Sequence, residues 1–266
     1  RAGFQPGIID DAQFRAKAYT NAPSLLLSRA WQLDPEDLEK LGTEVMAAGI
    51  HIHANADLPG QFDAYLRPNP KWPERMKSIF GLDVSKAMAA YDSGSVRDVT
   101  TNLALTGVST LGGLRPGWTA NFSTWKIWHG VTVDSGTTVL SHTGVNQSQV
   151  NPPVPGLVIK TVGPAKTAVN TFAVADTFFV GPPSPAQAQL WNTRYDILRA
   201  IYRSHFGLTP VIDIGGPGAK QVLPDYRVCR NGSVLISLLN EHTAPAVITV
   251  SSPGLLVCKT VEHLSS

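Results

Sequence analysis

His51 and His53 stand two residues apart in Ile50-His-Ile-His-Ala54. In an extended strand, residues i and i+2 share a face, so the two imidazoles project together. A His-x-His pair can supply two nitrogen ligands to a metal, and Asp57 just beyond is the nearest third ligand. The plainer alternative is one satisfied interior histidine and one near the strand edge. Ser141-His142, with Asp134 upstream, offers the residue types of a Ser–His–Asp triad. No Gly-x-Ser-x-Gly elbow presents that serine, and geometry rather than residue type makes a triad. Cys229 lacks an elbow too. Paired carboxylates carry out most glycoside hydrolysis. Asp57, Asp63, Asp92 and Glu241 are available, but no spacing pairs any two of them. Asp63 reads equally well as a loop or cap residue, and Glu241 as a turn residue. These residues assign no catalytic group and no metal site, and no cofactor motif is found.

Trp118, Trp125 and Trp128 fall close together, with His129 next. Aromatic rings stack on the C–H faces of sugars. Tryptophans also fill cores and interfaces, because their large area is costly to leave in water. Both readings stand, and the three tryptophans with Asp57 are the candidate substrate contacts. Cys229 and Cys258 lie in apolar, strand-like contexts without metal spacing. They are small buried hydrophobes, a disulfide pair, or a reactive thiol. Sequons at Asn121, Asn146 and Asn231 do not fix a compartment. Cytoplasmic and secreted bacterial locations both remain open.

The elements that must position these residues start with Pro23-Ser-Leu-Leu-Leu-Ser28, a short apolar run that reads as a buried parallel strand. Asp34 can cap a helix, Pro35 suits its first turn, and Glu36 and Asp37 suit the positive end of its dipole. Leu38, Leu41 and Val45 make one apolar face, and Gly49 ends the helix. Residues 50–54 then alternate as a strand. Strand, helix and strand form a right-handed βαβ unit. The loop at Asp57-Leu-Pro-Gly60 leaves the carboxyl end of the second strand, the edge where open α/β sheets bind ligands. Acidic helix-like residues 10–17 precede the unit, and a short helix is expected over residues 72–80. Short β pieces follow from about Thr100 to Val180, with a polar, Pro-rich loop over 144–156 and a strand at Val169–Val174. A second strong helix spans about 186–206, with Trp191, Tyr195, Leu198, Ile201, Tyr202 and Phe206 at apolar positions. Beyond Gly207 the pattern is β, with an Asn231-Gly232 hairpin signal between two apolar runs.

Over 266 residues, 22 Lys+Arg against 20 Asp+Glu leave a net charge of +2. The basic residues are scattered, which argues against nucleic acid, whose binders carry a dense basic stripe. No apolar run approaches the roughly 20 residues that a membrane helix needs. Hydrophobic residues at 43% are enough for a core without staples.

The motifs are most informative in their order. Leu25-Leu-Leu-Ser-Arg-Ala-Trp-Gln-Leu-Asp34 is followed by Ala48-Gly49, Ala54-Asn-Ala-Asp57, Leu58-Pro-Gly-Gln-Phe-Asp63 and Ile79-Phe-Gly-Leu82. Ala165-Lys-Thr-Ala-Val169, Arg194–Tyr202 and the Arg230–Asn240 hairpin come later. This order resembles the glutamine-amidotransferase-like domain that follows the catalytic barrel in family-42-type beta-galactosidases and agarase-like glycoside hydrolases, together with their small C-terminal β-domain.

The resemblance implies an α/β fold. A flavodoxin-like, class I amidotransferase-like parallel sheet with helices spans 1–207, and a small antiparallel β-domain spans 208–266. It also implies a domain that builds homo-oligomer contacts and closes one wall of a neighbouring active site, with carbohydrate and the catalytic barrel of the same or a companion chain as partners. Active amidotransferases carry a Gly-x-Cys-x-Gly elbow and a His-x-Glu pair. At the elbow position this chain has Asn55-Ala-Asp-Leu-Pro-Gly60, and no His-x-Glu occurs. Amidotransfer is therefore not expected, and no eight-fold βα pattern provides a barrel. The expectation is a non-catalytic segment of a larger glycoside hydrolase, entered after the family's first strand. The rivals are a stand-alone carbohydrate-binding module and a hydrolase with a site near His51, His53 and Asp57.

Overall fold

A computed structural model describes residues 8–28, 30–55, 58–91, 101–124, 126–145, 148–171, 195–219, 222–228, 234–240 and 245–252. Helix α1 (Asp11–Arg15) opens with a capping box in which Asp10 and Gln13 satisfy each other's backbone N–H. Strand β1 (Ser24–Ser28) leads to helix α2 (Pro35–Lys40), which widens into a π-helical turn at Leu41–Val45. Leu38, Leu41 and Val45 are buried, the face that their spacing predicts. Gly49, at φ +77°, ends the segment as expected.

Asp34 departs from expectation. Its side chain caps nothing in α2 and instead accepts from Arg15 at 2.8 Å, while Arg15 also grips the buried Asp37 at 2.7 Å. That pairing fastens α1 onto α2.

Strand β2 (His51–Asn55) lies parallel to β1. Helix α3 (Trp72–Arg75) continues as a π-helical turn, Met76–Phe80, and stops at Gly81 in the left-handed region. The central sheet then gains β5 (Thr101–Gly107), β6 (Thr119–Thr124), β9 (Thr137–Val145), β10 (Ser148–Val162) and β11 (Ala165–Asn170). Short strands β3 (Leu82–Asp83), β4 (Met88–Tyr91), β7 (Lys126–His129) and β8 (Thr132–Val133) pair outside it, β3 with β8 and β4 with β7.

The sheet order is β1-β2-β11-β10-β9-β5-β6. The flavodoxin-like α/β core is present, and its sheet is mixed. β1, β2 and β11 are parallel, while the β11–β10, β10–β9, β9–β5 and β5–β6 pairings are antiparallel. Residues 144–156, expected as a loop, are largely strand. β10 carries Pro152 and Pro153 within the register shift between Gln149 and Val154, and Pro155, paired with His142, borders the next shift.

Alternation along the strands divides the interior. Ile52, Ala54, Val158 and Val169 face a cluster with Leu38, Leu41, Val45, Met76, Ile79 and Phe80. Leu105, Leu157 and Ala168 face a second cluster with Ile197, Ala200, Ile201 and Phe206. The last group belongs to helix α4, residues 195–199, and its π-helical extension Ala200–His205. The expected helix over 186–206 is seen from 195 onward, and residues 186–194 lie outside the described residues.

Beyond it, β12 (Asp213–Gly215) pairs with β15 (Thr249–Ser251), and β13 (Val222–Val228) pairs with β14 (Val234–Asn240), both antiparallel. They enclose a small separate cluster around Ile212, Ile214 and Val222. Arg199 and Arg203 both reach Asp213, at 3.2 and 2.6 Å, and clamp this region to α4. The Asn231-Gly232 turn, Cys229, Cys258 and Glu241 lie outside the described residues, as do Asp92, Asn146 and the tail after Ser252.

Candidate functional site

Three adjacent parallel strands end together. Ser28 of β1, Asn55 of β2 and Asn170 of β11 stand in register at their carboxyl ends. Because strand residues alternate faces, Asn55 shares a side with His53 and His51, the side covered by α4. Asn170 donates through Nδ2 to Asn55 Oδ1 at 2.6 Å. Its own Oδ1 therefore accepts, at hydrogen-bond distance from His53 Nε2. The His53 proton sits on Nε2, and Nδ1 is left facing the Tyr202 hydroxyl at 3.3 Å. At the other end Asn55 Nδ2 lies 3.4 Å from Ser28 Oγ. One chain of neutral groups thus runs Tyr202–His53–Asn170–Asn55–Ser28, with its middle members fully buried.

Burial controls its electrostatics. His53 is held down at about 4 because the interior disfavours the imidazolium, only partly offset by the bond to Asn170. Burial pushes the Tyr202 phenol well above its ordinary range. Neither group is a proton carrier near neutral pH. This network ties the ends of the three strands together.

His51 and His53 share a strand face as expected but do not converge on one centre. His51 Nδ1 accepts the Lys166 backbone N–H at 3.2 Å, and its ring packs on Phe206 at 4.9 Å. Both histidine rings are thus committed to the sheet–helix contact. Asp57 lies outside the described residues. Among the described residues no group of three His, Cys, Asp or Glu could hold a metal. Ser141 and His142 are consecutive on β9 and point to opposite faces, so no triad forms. Asp134 sits at a turn near Lys77 Nζ, 3.9 Å away. Ser141 Oγ is buried with no hydrogen-bond partner among the described residues.

Trp118 and Trp128 pack on different clusters and do not share a platform. Trp128 is 2% exposed and packs on Trp72, with ring centres 5.7 Å apart, so it is core. Trp118 is half-buried against the second cluster, its indole filling the space over Gly107. Trp125 lies outside the described residues.

The loop after β2 is better defined. Gly60, at φ +73°, turns where a Cβ would strike Leu38. Phe62 donates its N–H to the Trp31 carbonyl at 3.0 Å and stacks edge-on with the Trp31 ring. Asp63 is a loop organiser. Its carboxylate takes the N–H of Tyr65 at 2.8 Å, the N–H of Arg67 at 2.9 Å and Arg67 Nε at 2.7 Å. Against the opposing desolvation, these bonds hold its pKa below the ordinary carboxylate range.

Sequence reasoning missed Asn170, Tyr202 and Ser28 as members of the strand-end network. The available signal was a small polar residue closing each apolar strand, as in Leu27-Ser28, Ala54-Asn55 and Val169-Asn170.

No protein-family model matches the chain, and no curated protein matches it. Three solved structures share part of its shape. A carbohydrate deacetylase, Agd3, aligns at 14% identity over 69% of this chain and 25% of its own, with a TM-score of 0.38. A putative GMP synthase component from Thermoplasma acidophilum aligns at 12% identity over 71% of this chain and 78% of its own, at 0.35. A beta-galactosidase from the Antarctic haloarchaeon Halorubrum lacusprofundi aligns at 14% identity over 88% of this chain and 32% of its own, at 0.38. The chain therefore spans about a quarter of the deacetylase and a third of the beta-galactosidase. Likeness at this level decides no function, and the geometry of the chain itself has to.

Proposed function

We propose that this chain is a non-catalytic, amidotransferase-like segment of a carbohydrate-active enzyme of the glycoside-hydrolase kind. It would serve assembly and form a wall of the cleft, while two carboxylates on a catalytic barrel of the same or a companion chain carry out hydrolysis. The supporting observation is the closed amide network. At the strand edge where an amidotransferase places its nucleophile, Asn55, Asn170 and Ser28 bond to one another. The nearest histidine is buried and held neutral beside them. A working elbow needs an activated nucleophile and a titrating base. Here every group is neutral and engaged in holding strands together. The order of sequence motifs points to the same domain type. A division near residue 207 and association into a homo-oligomer belong to this reading.

The purified chain is to be assayed for glutamine hydrolysis and for cleavage of aryl-galactosides and agar oligosaccharides, with and without a chelator. No turnover is expected in any arm. Turnover by the chain alone overturns the reading, and chelator-sensitive turnover would direct attention to His51, His53 and Asp57. Sedimentation at micromolar concentration should show an oligomer, and a monomer counts against the assembly role.

A further inference from the structure

Of the expected sugar-stacking rings, Trp128 is interior and Trp118 half-buried, yet one aromatic ring is displayed. Tyr65 is 78% exposed, and among the described residues it is the aromatic side chain that appears with the strongly exposed apolar ones. Its loop leaves the carboxyl end of β2, the edge at which open α/β sheets take ligands. The loop is built to hold the ring out. The buried Asp63 carboxylate ties down the Tyr65 and Arg67 amides and the Arg67 guanidinium. Leu66 adopts a left-handed backbone at φ +62°, a conformation unfavourable for a branched residue, and so turns the chain sharply between them. Arg67 lays its guanidinium carbon 5.1 Å from the Tyr65 ring centre. That contact braces the ring while its side chain stays 72% exposed.

We propose that Tyr65 and Arg67 form a contact for the apolar face of a hexopyranose. Ring C–H groups carry slight positive charge and meet the negative face of the phenol ring. With Nε and Nη2 on Asp63, Nη1 of the guanidinium can donate to a neighbouring hydroxyl. Because the loop is fixed beforehand, little side-chain ordering is left for binding to oppose. The inference rests on the carbohydrate reading above and names the residues that would touch the glycan.

The test uses the full 266-residue chain with β-galactotetraose and neoagarotetraose as probes, followed by saturation-transfer NMR and titration. Wild type should bind at least one probe. Tyr65→Ala should raise Kd at least tenfold, and Tyr65→Phe should stay within about twofold, since the ring face and not the hydroxyl makes the contact. Circular dichroism checks that both variants fold, which the exposure of Tyr65 favours. Binding that survives Tyr65→Ala unchanged overturns this inference and leaves the carbohydrate reading intact. No binding by wild type also overturns it, while the accessory role is then judged by the turnover and sedimentation assays. A change in sedimentation on Leu66→Asp without sugar binding would reassign the loop to protein docking.

Discussion

Acidification tests the buried network most directly. His53 sits at about 4 in the fold against 6.5 in an unfolded chain. As pH falls through 6.5, the unfolded state takes up a proton that the folded state refuses, so stability drops. The loss continues until about pH 4, where the folded form also protonates and the curve levels. One pKa unit corresponds to about 1.4 kcal/mol, so moving from pH 7.5 to 4.5 should cost roughly 2.5 kcal/mol from His53 alone. His51 and His205 are also depressed by burial and add in the same direction. For His51 burial is the main cause, and its Nδ1 accepts the Lys166 amide. Lys166 also opposes charge on both rings. Among carboxylates held below their ordinary values, Asp63, Asp83 and Asp213 lose most of their contribution at lower pH, while Glu44 begins to lose its own at the bottom of this window. The comparison with His53→Gln therefore isolates the His53 share. Urea melts of wild type and His53→Gln at both pH values measure the effect. The variant should be less stable at pH 7.5 but lose roughly 2.5 kcal/mol less on acidification. A flat wild-type profile, or an unchanged slope in His53→Gln, refutes the assignment of a buried neutral imidazole.

Other outcomes follow from particular contacts. Leu66→Gly relieves the left-handed backbone and should stabilise by up to about 1 kcal/mol in thermal melts. Gly130→Ala combines φ +70° with a Cβ collision against the Lys86 carbonyl, a backbone atom that cannot swing aside, and should cost about 2 kcal/mol or more. Trp128→Ala removes a core ring packed on Trp72 and should destabilise by about 3–5 kcal/mol. Sugar affinity per folded molecule should not change, and a specific loss would restore Trp128 as a ligand contact. Asn170→Leu leaves Asn55 and His53 short of partners and should cost about 1–3 kcal/mol, measured by denaturant unfolding.

The βαβ opening was legible because three signals agreed: an apolar run, a Pro-initiated helix with a clean Leu38–Leu41–Val45 face, and an alternating second strand. The mixed sheet was not legible. Strand direction is set by which partner a strand finds, and the three prolines of β10 read locally as loop until register shifts accommodate them. Which aromatic rings are displayed was not legible for a related reason. A tryptophan cluster in sequence says nothing about which layer each ring enters, and Trp128 went to the core. Tyr65 gave no periodic signal, since its display depends on Asp63 bonds within an irregular loop. The neutral character of His53 was invisible as well, because it arises from burial beneath elements far along the chain, which the bond to Asn170, 117 positions away, only partly offsets.

The position of β11 has a consequence for synthesis. β2 is edge-paired to β1 from early in the chain, but its second neighbour is not made until residues 165–170 emerge. β11 first has a local partner in β10, across the two-residue turn at 163–164. The β1–β2 pair therefore gains its second parallel neighbour only once β11 is available, and β11 can pair locally with β10 first. Long-range parallel pairing of this kind is slow. Nascent chains stalled before residue 165 should be protease-sensitive throughout, and those extended past 205 should become resistant together, as one late step.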